Sequence, residues 1–593
     1  MENRTVAVLY GSETGNAHDY AETLTALLER YHFPVRCCAL DDFDLKELVS
    51  IRILIVLCST TGQGEFPKNA RKFWKFMLKK KLPHDLLNHL VFTTFGLGDS
   101  SYPKFNWAAR KLHSRLAQLG GVEFSKRAES DEQSPQGIDG YYNEFQRLLL
   151  DNLLKEFPLP EGVEPISEDI QPPVKNKVII DTRKPKRLTA DKSKDIALVR
   201  EHTKSDPDNI IIASVTDNTR ITAEDHFQDV RHLQLSVDPS TTPLSYSPGD
   251  TIALYPTNDP REVDLLIEMQ GWTEFADRRV VIDGPLPSIE GGLVKTLTLR
   301  SLFTHHLDLK AIPRRSFFAL LRHFASDERE KEKLAEFASF KDPEELYNYA
   351  NRPRRSILEV IQEFFSVKIP LEYVLDLFPI IKPRLFSIAS APSPDKVELT
   401  VAIVQYRTAI RRIRRGLCTT WVKTLNVGDK VVMNVKRSNL RLPSPERPII
   451  MVAPGTGIAP MRSVIHDRIQ QFGCTKDQMV LFAGFRFHNK DFLYGSEWTI
   501  LAEQGKLALF TAFSREAGGY VQDSLFLEAN YVAELLTHKD ATVYVCGSSG
   551  KMPTQVRLTF ESILQEARGL TPEQSKQYLL ELEQSGRYIQ ETW

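Results

Sequence analysis

Apolar positions along the chain follow three rhythms, and each predicts a different kind of element. Over residues 1 to about 150, continuous apolar runs at 5–10, 53–58 and 90–95 alternate with stretches whose apolar residues recur every three or four positions. Short runs without polar alternation are strands buried on both faces, and the wider spacing marks one face of a helix. The spacing predicts a helix over 17–30 presenting Ala17, Tyr20, Leu24 and Leu27. It predicts another over 104–119 presenting Trp107, Leu112, Leu116 and Leu119. Strands and helices in strict alternation make a parallel, doubly wound sheet.

From Phe157 the rhythm stops. Pro158, Pro160, Pro165, Pro172 and Pro173 come first, then the basic run Arg183-Lys-Pro-Lys-Arg187, and together they read as a basic tether. Short β-like segments then appear at 231–237, 250–254, 397–404 and 430–435, with a mostly helical stretch from about 260 to 378 between them. An antiparallel barrel carrying a helical insertion explains that order. The last part returns to alternation, with strands near 448–452, 479–485, 507–512 and 541–546. The expected division is therefore α/β multidomain: a doubly wound domain at 1–150, a flexible linker at 151–205, a barrel with its insertion at 206–447, and a second doubly wound domain at 448–593.

Composition narrows the function classes. Lys+Arg 76 against Asp+Glu 77 leaves a net charge of -1, which argues against a nucleic-acid binder or an acidic tail. Six cysteines, none in a C-x-x-C pair, point to a reducing compartment and offer no zinc or iron–sulfur spacing, so no metal site is expected. The first strand begins within a few residues of Met1, leaving no room for a signal peptide. No apolar run approaches the ~20 residues of a membrane span. A cytoplasmic protein is expected.

Two strand–turn–helix segments carry the first chemical signal. Thr5–Tyr10 runs into Gly11-Ser-Glu-Thr-Gly-Asn-Ala17, and Pro448–Val452 runs into Ala453-Pro-Gly-Thr-Gly-Ile-Ala-Pro460. Such turns aim backbone N–H groups and a helix N-terminus at phosphate. The first, with Ser12, Glu13, Thr14, Gly15, Asn16 and Ala17, is rich in side-chain oxygens, as suits a terminal monophosphate. The second is the sparser turn of a dinucleotide site. Two further loops, Ser59-Thr-Thr-Gly62 and Leu97-Gly-Asp-Ser-Ser-Tyr102, follow later strands of the first domain, the latter running on to Phe105 and Asn106.

In these three loops (Ser59, Thr60, Thr61 and Gly62; Leu97, Gly98, Asp99, Ser100, Ser101 and Tyr102) the first domain resembles a flavodoxin-like FMN domain. The resemblance implies FMN with its phosphate on Ser12–Ala17 and its ring on Tyr102. Thr61 stands where close relatives carry an aromatic, which implies stacking on one face only. Asp131 and Glu132 lie where the family often has an acidic residue near the ribityl chain.

Downstream, Arg384-Leu-Phe-Ser387 with Ser390, and Gly416-Leu-Cys-Thr419, resemble the FAD module of ferredoxin–NADP reductases, with Phe386 in place of the usual Tyr. The resemblance implies that Arg384 and the N–H groups of Gly416, Leu417, Cys418 and Thr419 hold the pyrophosphate. It places Leu385 and Phe386 against the FAD, with Phe386 on the flavin ring, and Ser387 at the flavin edge that takes hydride. Arg352 resembles a further FAD contact. The arginines at 407, 411, 412, 414 and 415 read as a solvated hairpin ahead of a docking patch.

In the last domain Gly455, Thr456 and Gly457 form the turn and Pro460 begins the helix. Ser514 and Arg515 replace the acid that selects NAD, so they favour the 2′-phosphate of NADPH. Tyr520 and Gln522 match the same family's pattern, although the Lys that commonly precedes the Tyr is replaced by Gly518-Gly519. Ser387, Cys546, Glu591 and Trp593 resemble the family's hydride-transfer group, with Trp593 covering the flavin.

Taken in order, these modules make a flavodoxin-like sheet, an antiparallel barrel FAD domain with a helical insertion, and a Rossmann-like NADP domain. The chain is thereby similar to the diflavin reductases, and within them to the NADPH-dependent, cytosolic iron–sulfur assembly branch. That resemblance implies FMN, FAD and NADPH as cofactors and an anamorsin-type iron–sulfur protein as acceptor, with the tether letting the FMN domain visit FAD and then turn outward. A diflavin reductase for a haem protein or other acceptor, and a non-catalytic regulatory partner, are the alternatives.

Overall fold

A computed structural model describes residues 4–62, 64–102, 104–134, 136–181, 210–240, 242–283, 297–408, 411–438, 440, 442–516 and 519–592. The basic run at 183–187, Gly518 and Trp593 lie outside the described residues. By packing, the chain divides into two compact units, Met1–Lys177 with Ala311–Leu377, and Val178–Lys310 with Phe378–Trp593.

In the first unit β1 (Val6–Gly11), β2 (Val35–Ala39), β3 (Ile53–Ser59) and β4 (Val91–Gly98) form a parallel sheet ordered β2-β1-β3-β4. The far edge of β4 is shared by β5 (Val122–Glu123) and β6 (Ala128–Asp131). Alternate residues serve opposite faces. Val6, Val8, Ile53, Ile55 and Leu57 meet α1 (Asn16–Arg30) and α4 (Gly137–Glu156). Ala7, Leu9, Leu54 and Val56 meet α2 (Arg71–Met77) and α3 (Trp107–Gln118).

Along α1, Ala17 and Leu24 are buried, and Tyr20 and Leu27 pack against the same core. Trp107 departs from expectation: Ala108, Ala109, Leu112 and Leu116 supply the buried face of α3, and Trp107 is 39% exposed at its start. Residues 151–156, the expected start of the linker, complete α4. The same unit includes the short helix α5 (Arg315–Leu321), which packs on α1.

The second unit opens with a six-stranded antiparallel sheet. Its strands are β7 (Ile210–Arg220), β8 (Val230–Ser236), β9 (Thr251–Leu254), β10 (Arg384–Ser387), β11 (Lys396–Ala402) and β12 (Lys430–Lys436), ordered β10-β9-β12-β7-β8-β11. A bridge between Ile388 and Leu399 joins the two edges and closes the barrel. The stretch between β9 and β10 is helical over Pro260–Met269 and Leu299–His305 but also contains a strand, Val280–Asp283.

The closing five-stranded sheet is parallel: β13 (Ile449–Pro454), β14 (Met479–Phe485), β15 (Ala508–Phe513), β16 (Thr542–Gly547) and β17 (Tyr588–Thr592), ordered β15-β14-β13-β16-β17. Among the described residues no helix is long and apolar enough to cross a membrane.

Candidate functional site

The first sheet reverses its strand order between β1 and β3, and ligands of open α/β sheets bind beyond the strand ends at such a point. The loops after β1, β3 and β4 converge there. Gly15 caps α1 at φ 102, and no side chain caps the helix. An uncapped helix start of this kind offers its first N–H groups to an anion. Ser12 shapes the turn, its Oγ accepting from Gly15 N at 2.9 Å while Asn69 Oδ1 accepts from Ser12 N at 2.9 Å. Glu13 is turned aside, accepting from Lys68 N at 3.0 Å.

The other two loops are largely self-braced. Ser59 Oγ donates to the Gly11 carbonyl, Thr60 Oγ1 accepts from Ala108 N, and Thr61 bridges to Glu65 around Gly62. Asp99 accepts from Ser101 N, and Asp131 accepts from Ser100 N and Gln133 N. A Cβ on Gly98 would meet Phe105 and Asn106 at 2.8 Å, so glycine is needed there for close packing. Asn106 is fully buried and donates to the Ser130 carbonyl at 3.0 Å, bracing the loop from beneath. Leu97 is buried, whereas Tyr102 stands 43% exposed at the loop crest, free to cover a flavin ring. Burial pushes the Glu132 carboxyl up, Asp99 and Asp131 add to that, and Arg354 opposes it. A phosphate turn of donors, an exposed aromatic and a self-braced rim fit FMN.

At the barrel, Arg384 is exposed and donates to the Lys382 carbonyl, while Leu385 is 49% exposed. Phe386 leans on the barrel core, and Ser387, paired with Thr251 across the ladder, is partly buried. Helix α6 (Leu417–Thr424) starts at Gly416 with no side-chain cap. Cys418 is buried, which pushes its thiol up to about 12, and the Arg384 charge pulls the other way. Thr419 Oγ1 is taken, accepting from Val404 N at 3.0 Å. The Thr420 hydroxyl is buried with no partner among the described residues, an orphan that a phosphate oxygen would satisfy. These residues fit FAD. Arg352 belongs to the other compact unit.

The closing sheet reverses between β13 and β16, and both ends carry the expected turns. Gly455 takes φ 59, and Thr456 lies in the same tight turn. A Cβ on Gly457 would lie 2.1 Å from the Cys546 carbonyl oxygen, so only glycine lets the turn touch the neighbouring strand. Helix α7 (Ile458–Phe472) begins at Ile458, two residues before Pro460, and has no side-chain cap. Ser514 and the exposed Arg515 follow β15. Tyr520, 58% exposed, caps the helix Val521–Leu527, which carries Gln522.

Cys546 and Glu591 are ladder partners on β16 and β17. Burial pushes the Cys546 thiol well above its ordinary range, and the Glu591 carboxylate adds to it. Burial also raises the Glu591 carboxyl, although it accepts from Tyr544 OH at 2.7 Å and Ser438 Oγ at 3.2 Å. Ser438 N donates to Asp250, the residue before Thr251, and Thr251 pairs with Ser387. One connected group therefore links barrel and sheet.

Ser438, Tyr544 and Thr420 were given no role in the sequence reading. Thr420 directly follows the Gly416–Thr419 turn, and Tyr544 lies two positions before Cys546 and so on the same strand face, whereas Ser438 left no signal.

Three family models match along the chain: flavodoxin over residues 8–145, FAD binding domain over 203–421, and oxidoreductase NAD-binding domain over 451–557. Curated relatives called NADPH-dependent diflavin oxidoreductase 1 match at full length. That of Debaryomyces hansenii is 48% identical, covering 99% of this chain and 98% of its own. That of Yarrowia lipolytica is 45% identical, covering 100% and 89%. That of Saccharomyces cerevisiae is 40% identical, covering 100% of both.

Proposed function

The chain belongs to the NADPH-dependent diflavin oxidoreductases, and on that premise we propose that it passes electrons to an acidic, anamorsin-type iron–sulfur protein in cytosolic cluster assembly. The relay runs from NADPH to FAD to FMN, hydride chemistry at the first flavin becoming single electrons at the second.

In this reading the Ser12–Ala17 turn holds the FMN phosphate and Tyr102 covers its ring. Arg384 and the start of α6 hold FAD, and Ser514, Arg515, Tyr520 and Gln522 hold the 2′-phosphate. Ser387, Cys546 and Glu591 line the path of the hydride. All six cysteines are free thiols, which supports a reducing compartment.

One observation carries the acceptor's class. A groove of about 700 Å³ runs between α2 and α3, starting one residue beyond the Tyr102–Asn106 loop. Trp74, Leu78 and Trp107 give it apolar walls, Lys80, Lys111 and Arg115 line it with positive charge, and among the described residues no carboxylate does. An acidic one-electron protein seated there lies beside the FMN loop. Reversing charge with Lys111→Glu and Arg115→Glu should raise the KM for an anamorsin-type iron–sulfur acceptor about tenfold, leaving ferricyanide reduction unchanged. A wild-type enzyme that prefers a haem protein, with no effect of the reversal, would replace this reading.

A further inference from the structure

We propose that Arg314 is a ligand of the FMN phosphate, brought to the phosphate turn by a segment about 300 residues downstream of it. The inference rests on reading Ser12–Ala17 as the phosphate site, and adds a residue from outside the flavodoxin-like sheet.

Arg314 is the residue before α5, in the same compact unit as the turn. Its Nη2 lies 3.2 Å from the Thr14 carbonyl oxygen and 3.3 Å from Asn16 Oδ1. The guanidinium lies over Gly15: a Cβ there would be 2.9 Å from Nη2 and 3.1 Å from Nη1. Glycine at 15 therefore serves twice, once for its positive φ and once to admit the guanidinium.

The Asp19 carboxyl, in the first turn of α1, offsets part of the positive charge at this contact. The N-terminus of α1 carries the positive end of the helix dipole, and its turn offers mainly donors. A guanidinium, also positive and holding five N–H donors, faces that end while bonding two neutral oxygens. Two positive groups facing each other gain most from an anion between them, and a planar guanidinium matches phosphate oxygens in pairs. Asp19, whose carboxyl feels the Arg314 charge, is itself bonded by Ser316 Oγ. Riboflavin shares the ring and ribityl chain of FMN but lacks the dianion, so this arginine should discriminate between the two.

The test uses full-length protein freed of flavin and reloaded with FAD, titrated with FMN and with riboflavin while flavin fluorescence is followed. Arg314→Gln should weaken FMN binding about tenfold and leave riboflavin binding unchanged. Arg314→Lys should fall between, keeping charge but losing the fork. Equal weakening for both flavins would show that Arg314 only braces the turn, and would overturn the proposal. So would an Arg314→Gln protein that keeps the full wild-type preference for FMN. If the wild type itself shows no preference, the phosphate turn has been misread and the proposal falls with it.

Discussion

Helices α1 and α7 occupy equivalent places, each following a glycine turn at a switch point, yet they bury opposite charges in different ways. Early in α7, Arg462 bonds Glu398 at 2.6 Å and Glu497 at 3.0 Å, plus the Ala389 carbonyl at 3.0 Å. Early in α1, Asp19 is bonded by the Ser316 hydroxyl, with the Arg314 charge nearby. Burial pushes Glu398 up, but the hydrogen bond and charge of Arg462 outweigh it and hold the carboxyl below its usual range. Glu497 behaves alike, with His466 and Arg462 outweighing burial. Burial drives Asp19 up to about 6, and neither Arg314 nor Ser316 cancels it, while Glu22 and Asp139 add to the rise. The lesson concerns partners rather than depth: a buried charge stays ionised where opposite full charges bond it directly.

The largest expected effect breaks the well-paired side. Arg462→Ala strands two carboxylates, so urea unfolding should lose ~3–5 kcal/mol. Arg315→Ala is the control in the first unit, because Arg315 is 4% exposed and bonds Asp139 at 2.9 Å. A loss below ~1 kcal/mol for Arg462→Ala would mean that water reaches Glu398 and Glu497, and the contrast with Asp19 would collapse.

The next effect is read as pH dependence. A carboxyl raised from 3.8 to about 6 binds its proton more tightly in the folded state. Between those values the native chain holds more protons than the unfolded one, so stability from this group falls as pH rises from about 4 to about 6. A shift of roughly two units corresponds to at most ~3 kcal/mol. Asp19→Asn keeps an acceptor for Ser316 but has nothing to ionise. Its urea midpoint should exceed wild type above pH 6 and match it near pH 4. Parallel pH curves for the two proteins would show that Asp19 is solvated in the folded state.

How much of this was legible in sequence follows from the range of each interaction. The two sheets and their glycine turns were readable because apolar runs, helical spacing and turn residues are local. Trp107 was misread because helical spacing cannot tell a core position from the wall of a groove. Arg314, Arg315 and Ser316 fell inside the stretch read only as mostly helical, and nothing near them announces partners some 300 and 176 positions away. Ser438 was silent for the same reason, lying 153 positions before Glu591. Glycine- and hydroxyl-rich turns show in sequence; the residues that hold them in place mostly do not.

Glu591 sharpens the comparison with the smallest expected effect. It is a buried carboxyl bonded by two hydroxyls, with no cation in hydrogen-bond contact among the described residues, so it resembles Asp19 rather than Glu398. In the proposed hydride-transfer group its ionised form would lie toward a bound nicotinamide, where a fixed negative charge would favour the positive charge that hydride donation leaves on the ring. Because burial raises the carboxyl above 4.5, protonation should begin to slow flavin reduction at a higher pH than for an ordinary glutamate. Stopped-flow reduction by NADPH should therefore slow as pH falls into that range. Glu591→Gln should remove the slope and run about tenfold slower at neutral pH, a rise of ~1.4 kcal/mol in the barrier. Tyr544→Phe removes a donor that favours the ionised form, so it should move the slope to higher pH without abolishing it. A Glu591→Gln enzyme that keeps the wild-type slope would place the titrating group elsewhere and leave Glu591 a purely structural acceptor for Ser438 and Tyr544.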